Sequence, residues 1–136
     1  MAFDGVWKVV ENDNFEVFLI ALGIPEKQRK IAMDDSLEMD IKQEGNKFTI
    51  VEKSCFCTKR SEWSLDEEFE NTLANGSRVK GMFSLTKPNR LEGQFKICPD
   101  GKDFFTIREA RGDTLMQIIK IAGQEAKRVF KKEQNS

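Results

Sequence analysis

Histidine and tyrosine are both absent from these 136 residues. That removes the commonest general base and one common general acid, and no nucleophile–base pair stands out in their place, so an enzyme is the weaker reading and no catalytic residue is assigned. Cysteine is scarce, at three, and an odd count in a chain without an export signal points to reduced thiols rather than a disulfide framework. Cys55 and Cys57 are spaced Cys-x-Cys, but with no histidine and with Cys98 distant they make a poor metal site; no metal or cofactor is expected. Long apolar runs are missing: nothing approaches a membrane span. The opening MAFDGVWKVVEND carries charge within its first few residues and has no apolar segment of signal-peptide length, so residence in the cytoplasm is expected. An excess of positive charge is also lacking. The net charge of −1 implies no strongly basic face and counts against nucleic acid as a partner.

What is present is phenylalanine, 11 in all, set in alternating patterns. Gly5–Val10 reads as a strand. Phe15, Phe18, Leu19 and Leu22 then make one helical stripe, with Asn14 or Asp13 as its cap and Gly23 as its stop. Pro25 suits the first position of a second helix, EKQRKIAMDD, whose exposed side carries Lys27, Arg29 and Lys30. This helical hairpin, about residues 14–36, is the only helix expected. From Leu37 the period is two. Strands follow in LEMDIKQE, KFTIVEKS, the polar and weak TKRSEWSL, FENTL, SRVKGMFSL, RLEGQFKI, and three more between Phe104 and Phe130. Turns fall at Gly45-Asn46, Asn75-Gly76, Lys87-Pro88-Asn89, Pro99-Asp100-Gly101, Gly112-Asp113 and Ala122-Gly123. The sum is an all-β fold: ten antiparallel strands in an up-and-down barrel, one domain over 1–136, with a helix-turn-helix lid after the first strand. Ten strands enclose more space than side chains usually fill, so a cavity is expected.

Register carries the functional clue. Lys127, Val129 and Lys131 alternate with Arg128 and Phe130, and two lysines mark the first set as the wet face. A two-residue hairpin at Ala122-Gly123 sets Gln117 opposite Arg128, and the preceding turn sets Gln117 opposite Arg108. Arg108, Gln117 and Arg128 thus share one inward row. Two interior arginines are costly to desolvate unless an anion meets them, so the row looks like a receptor for a carboxylate. Read alone, DFFTIREA favours burying Phe105 and Ile107 and exposing Arg108, and a one-residue slip in register would give that result. The competing partner for these arginines is Glu52, the one acid with inward parity.

FDGVWKV with NFEVFLIALGI, QEGNKFT, LANG, TIRE and EAKRVFKK together resemble the cytosolic fatty-acid-binding proteins over nearly the whole chain, the intestinal type especially. The resemblance implies a clam-shaped, lipocalin-like barrel with two lid helices and a lipid inside. It places Arg108 where the carboxylate is gripped and Gln117 in the same network, and so also turns Arg108 inward. Arg128 falls in an Arg-x-Tyr element in which Phe130 replaces the tyrosine. Phe56 falls at the portal opposite the lid, and Phe83 where a tryptophan often lines the cavity. Trp63 replaces a phenylalanine and Asn71 a tyrosine, while Lys59 and Ser61 stand where apolar residues are usual. Phe48, Phe95, Phe104 and Ile119 complete the lining, in which core packing and ligand contact overlap.

The expectation is a monomeric, non-enzymatic carrier of a long-chain fatty acid. A bile acid, retinoid or oxidised lipid is the alternative, motivated by Lys59, Ser61 and Asn71, and a membrane-surface lipid-transfer protein is a further one. Lys27, Arg29 and Lys30 are most often a solvated face; their functional reading is contact with anionic membranes.

Overall fold

Alternating apolar and charged residues become strand wherever the alternation runs for more than a few positions. The computed structural model describes residues 2–21, 23–33, 37–54, 58–72, 78–98, 101–121 and 123–133. The strands are β1 Gly5–Asp13, β2 Glu38–Glu44, β3 Lys47–Lys53, β4 Thr58–Ser64, β5 Phe69–Thr72, β6 Arg78–Lys87, β7 Arg90–Cys98, β8 Lys102–Arg111, β9 Thr114–Ile121 and β10 Gln124–Lys132. Two helices, α1 Phe15–Ala21 and α2 Glu26–Met33, follow β1. No helix among the described residues is long and apolar enough to cross a membrane.

All ten strands belong to one antiparallel sheet, ordered β4-β3-β2-β1-β10-β9-β8-β7-β6-β5. Pairing of β1 with β10 brings the two ends of the chain together. Every pair of sequence neighbours is hydrogen-bonded except β4 and β5, the two edges. Side chains bridge that gap instead. Lys59 Nζ donates to the Thr72 carbonyl, Asn71 Nδ2 donates to Ser61 Oγ at 3.3 Å, and Trp63 stacks on Phe69 with centroids 5.8 Å apart. A recess of about 300 Å³ lies at the same gap, lined by residues including Lys47, Glu62, Trp63 and Phe69.

The interior face is apolar and aromatic. Trp7, Phe48, Leu115 and Phe130 are fully buried, and Trp7 Nε1 donates to the Phe3 carbonyl at 3.0 Å. On β1 the register shifts between Val9 and Glu11. The bulge leaves Val10 exposed and flips the strand's parity, so that Asn12 faces the interior although it is out of step with Trp7 and Val9.

The lid departs from expectation in two places. Asn14 precedes α1 but has a φ of 57°, and its amide donates to the Glu125 carbonyl at 2.7 Å. It ties the helix start to β10 rather than capping the helix, and among the described residues neither it nor Asp13 accepts a bond from the first turn. Gly23 does end α1, through paired bonds from Gly23 N to Ile20 O (2.9 Å) and Ile24 N to Leu19 O (3.1 Å), with Leu19 and Ile24 buried beside them. The second departure is Arg29. Its Nη1 donates to the Ile24 carbonyl at 2.7 Å and its Nε is buried, so it serves the turn between the helices and is not on the solvated face. Lys27 and Lys30 are exposed, Lys30 pairing with Glu26 at 3.5 Å. Buried Phe15, Phe18 and Leu19 seat α1 on the barrel, with Phe18 5.9 Å from Phe104. Leu22, Phe56, Cys55, Cys57 and the Asn75-Gly76 turn lie outside the described residues.

Candidate functional site

Tight turns fix the register of the last three strands. Arg111 pairs with Thr114 around Gly112, whose φ is +59°. Ile121 pairs with Gln124 around Gly123, whose φ is +76°. Each of those φ values suits a residue without Cβ. The consequence is that Gln117 pairs with Arg108 on one side and with Arg128 on the other. β1 extends the row by one residue, since Arg128 pairs with Asn12. In the other direction Arg108 meets Leu91, and the row becomes apolar.

The two arginines differ in what holds them. Arg128 is buried; its Nε donates to Asn12 Oδ1 at 2.7 Å, and its Cζ lies 4.0 Å from the centroid of Phe15 on the lid helix. Arg108 has no such anchorage. Its Nε is closed off from solvent without a hydrogen-bond partner, and its Cζ lies 5.6 Å from the Phe83 centroid. Among the described residues no acid lies within 4.0 Å of it, and no hydrogen bond joins it to Gln117. Burial lowers its pKa from the ordinary arginine value, and the charge of Glu52 acts in the opposite sense. An arginine titrates so high that it remains a cation at neutral pH. Glu52 is therefore a distant electrostatic neighbour, and among the described residues no acid pairs with the guanidinium.

Around the row runs a series of ring contacts. Phe83 stacks on Trp63 at 4.3 Å, and Trp63 on Phe48 at 4.5 Å. Phe69, Phe95 and Phe104 continue it at 5.6 and 6.0 Å, and Phe18 of α1 completes it. Trp63, Phe48, Phe83, Phe95, Phe104, Ile119 and Phe130 are all buried. Asn71 is half-buried and bonded to Ser61. Of the residues singled out in the sequence, the structure brings together the polar row and the aromatic lining. Asn71 sits apart from Arg108, at the β4–β5 gap.

Three contributors escaped the sequence reading. Asn12 needs the bulge to face inward. Phe15 was read only as helix packing, whereas it also covers Arg128. Thr106 shares the parity of Arg108 and is 2% exposed, and its hydroxyl has no partner; the parity that turns Arg108 inward is the signal that finds it. On the outward side, Ile107 is nonetheless buried, and Lys120 lies over the half-buried Phe105 at 5.8 Å. Both faces of β8 are thus covered, so its pattern in isolation was ambiguous.

Ten antiparallel strands under a two-helix lid, with guanidinium groups set in an aromatic interior, define a β-clam of the lipid-binding class. The solved structure of a Schistosoma mansoni fatty acid binding protein in complex with arachidonic acid shares this fold, with a TM-score of 0.89 at 23% identity, covering 98% of this chain and 97% of that one. The chain is 42% identical to the intestinal fatty acid-binding protein of Rattus norvegicus over 98% of its own length and 100% of the relative's. It is 41% identical to the intestinal protein of Homo sapiens over the same shares. The chain belongs to the fatty-acid-binding protein family. No family profile matches it.

Proposed function

We propose that this chain binds one long-chain fatty acid inside the barrel and carries it, with Arg108 taking the carboxylate. The observation that carries the proposal is an inward arginine, half-buried overall, in a phenylalanine-lined interior. Its Nε is closed off from solvent without a partner, and it has no acid within 4.0 Å among the described residues. A guanidinium offers two parallel donors to a carboxylate, and one such contact near ~4 Å is worth about 4 kcal/mol at an effective dielectric near ~20. Gln117 stands beside it to donate a further bond. Arg128, already held by Asn12 and Phe15, is the secondary cation. Each buried methylene adds roughly 0.8 kcal/mol, offset in part by the ordering cost of association. Hydrocarbon therefore dominates affinity and Arg108 sets orientation. The acyl chain runs from Arg108 toward the lid, past Phe83, Trp63, Phe95, Phe104 and Ile119. Phe48 and Phe130 back this lining from the core.

The same reading makes the protein a carrier without catalytic residues, acting as a monomer of one domain in the cytoplasm. The relatives named above are fatty acid-binding proteins by name, and the Schistosoma protein was solved in complex with arachidonic acid. Bile acids, retinoids and acids oxidised far from the carboxylate find less support than on sequence grounds. The polar side chains that motivated them, Lys59, Ser61 and Asn71, form bonds across the β4–β5 gap. Competition against a fluorescent fatty acid tests the proposal. Oleic and palmitic acids should displace it at lower concentration than retinoic acid or a bile salt. Tighter binding of either of the latter would reassign the ligand.

Delivery is proposed to involve the lid. Lys27 and Lys30 are exposed on α2, with Ile20 of α1 and Ile31 of α2 also exposed. That combination suits an anionic lipid surface. Changing Lys27→Glu together with Lys30→Glu should slow fatty-acid transfer to anionic vesicles several-fold at unchanged affinity. A transfer rate equal to that of the wild type, followed by stopped-flow quenching, would remove the membrane contact.

A further inference from the structure

Resting on the fatty-acid reading, we propose that Thr106 recognises a hydroxyl group near the carboxyl end of the bound acid, so that the preferred ligand is a long-chain acid hydroxylated close to its carboxylate. Thr106 lies on β8 two residues from Arg108, on the same face. Alternate residues of a strand are about 7 Å apart, so the two side chains reach adjacent parts of one bound molecule. Thr106 is on the lid side of Arg108. The connections β3–β4, β5–β6, β7–β8 and β9–β10 and the helices, which link Asp13 to Glu38, share the end of the barrel where β8 begins. A chain running from Arg108 to the lid must pass it.

The surroundings of Thr106 offer its hydroxyl nothing. Its partners across the sheet are Gly93 on β7 and Ile119 on β9. The space over Gly93 is taken by the rings of Phe83 and Phe95. The residue is 2% exposed and Oγ1 makes no hydrogen bond. A buried hydroxyl without a partner is destabilising, and valine would fill the same volume without that cost. Thr106 and Arg108 together present two buried, unpartnered polar groups in tandem on one strand. An acid bearing a hydroxyl a few bonds from its carboxylate satisfies both at once, and a plain acid satisfies only the second.

The test compares palmitic acid, β-hydroxypalmitic acid and ω-hydroxypalmitic acid on the full chain by titration calorimetry. The wild type is expected to bind the β-hydroxy acid about tenfold tighter than palmitic acid, the equivalent of one neutral hydrogen bond. It should show no such gain for the ω-hydroxy acid. Thr106→Val should bring the ratio of β-hydroxy to plain acid to about one, and Thr106→Ser should keep it. Equal affinity of the wild type for the first two acids would overturn the inference, as would a ratio that survives in Thr106→Val. In either case binding of palmitic acid leaves the fatty-acid reading standing. Failure of the wild type to bind any of the three would bring down that reading and this inference with it.

Discussion

Replacing Arg108 by alanine is expected to weaken binding of a long-chain fatty acid about a hundredfold, while binding of the matching fatty alcohol changes by less than about threefold. A hundredfold loss is about 2.7 kcal/mol. That is less than the roughly 4 kcal/mol of the direct contact, because a carboxylate entering the variant keeps some water and still feels Arg128. The alcohol brings no charge, so it reports only the hydrocarbon and the small cavity left by the truncation. Calorimetry with both ligands separates the effects, and equal losses for acid and alcohol would remove Arg108 as the carboxylate contact. A second consequence concerns the unliganded protein. With its Nε unpartnered and no acid within 4.0 Å among the described residues, Arg108 is a cost to the ligand-free barrel. Arg108→Met, which keeps the bulk and drops the charge, should therefore stabilise the ligand-free protein by about 1–3 kcal/mol while lowering affinity for the acid. A melting temperature that falls instead would mean that Arg108 holds the barrel together.

The polar row was legible because two hairpin turns at known positions set a register, and register transmits parity from strand to strand. Lys127 and Lys131 told which face was wet, and the pairings then carried Arg128, Gln117 and Arg108 inward. What stayed hidden depends on breaks in that regularity. The bulge at Val10 has no signal in the charges around it, so Asn12 counts as outward until the pairing with Arg128 is seen. The missing pairing between β4 and β5 cannot be read from either strand. Lys59, Ser61 and Asn71 look like polar intrusions into a greasy wall, and they acquire a purpose only when the two edges are seen to face each other. Arg29 sits among lysines in sequence, and only the three-dimensional turn shows it donating to Ile24.

Gly81→Ala is expected to be among the most damaging single changes in the barrel, whereas Gly93→Ala, on the neighbouring strand and with the same alternation, should be tolerated. Gly81 pairs with Phe95 and Gly93 with Phe83. A Cβ on Gly81 would fall on the carbonyl oxygen of Gln94, far inside van der Waals contact, and 2.7 Å from the Cα of Phe95. Those atoms belong to the backbone of β7, so relief requires β6 and β7 to part along a fully paired ladder. A Cβ on Gly93 would meet only ring atoms, Phe83 Cε1 at 2.6 Å and Phe95 Cε2 at 2.7 Å, and rings can swing. Overpacking of the second kind costs about 1–3 kcal/mol. The first kind should exceed that and lower the melting temperature by more than about 10 °C. Gly93→Ala carries its own signature, because Phe83 is stacked 4.3 Å from Trp63. Displacing Phe83 should shift Trp63 emission at an unchanged fold and should alter fatty-acid affinity, since the same ring lies under Arg108. Thermal melts and tryptophan spectra of the two variants decide the matter. If Gly81→Ala melts within a few degrees of the wild type, the close approach of β6 to β7 is not what requires glycine there.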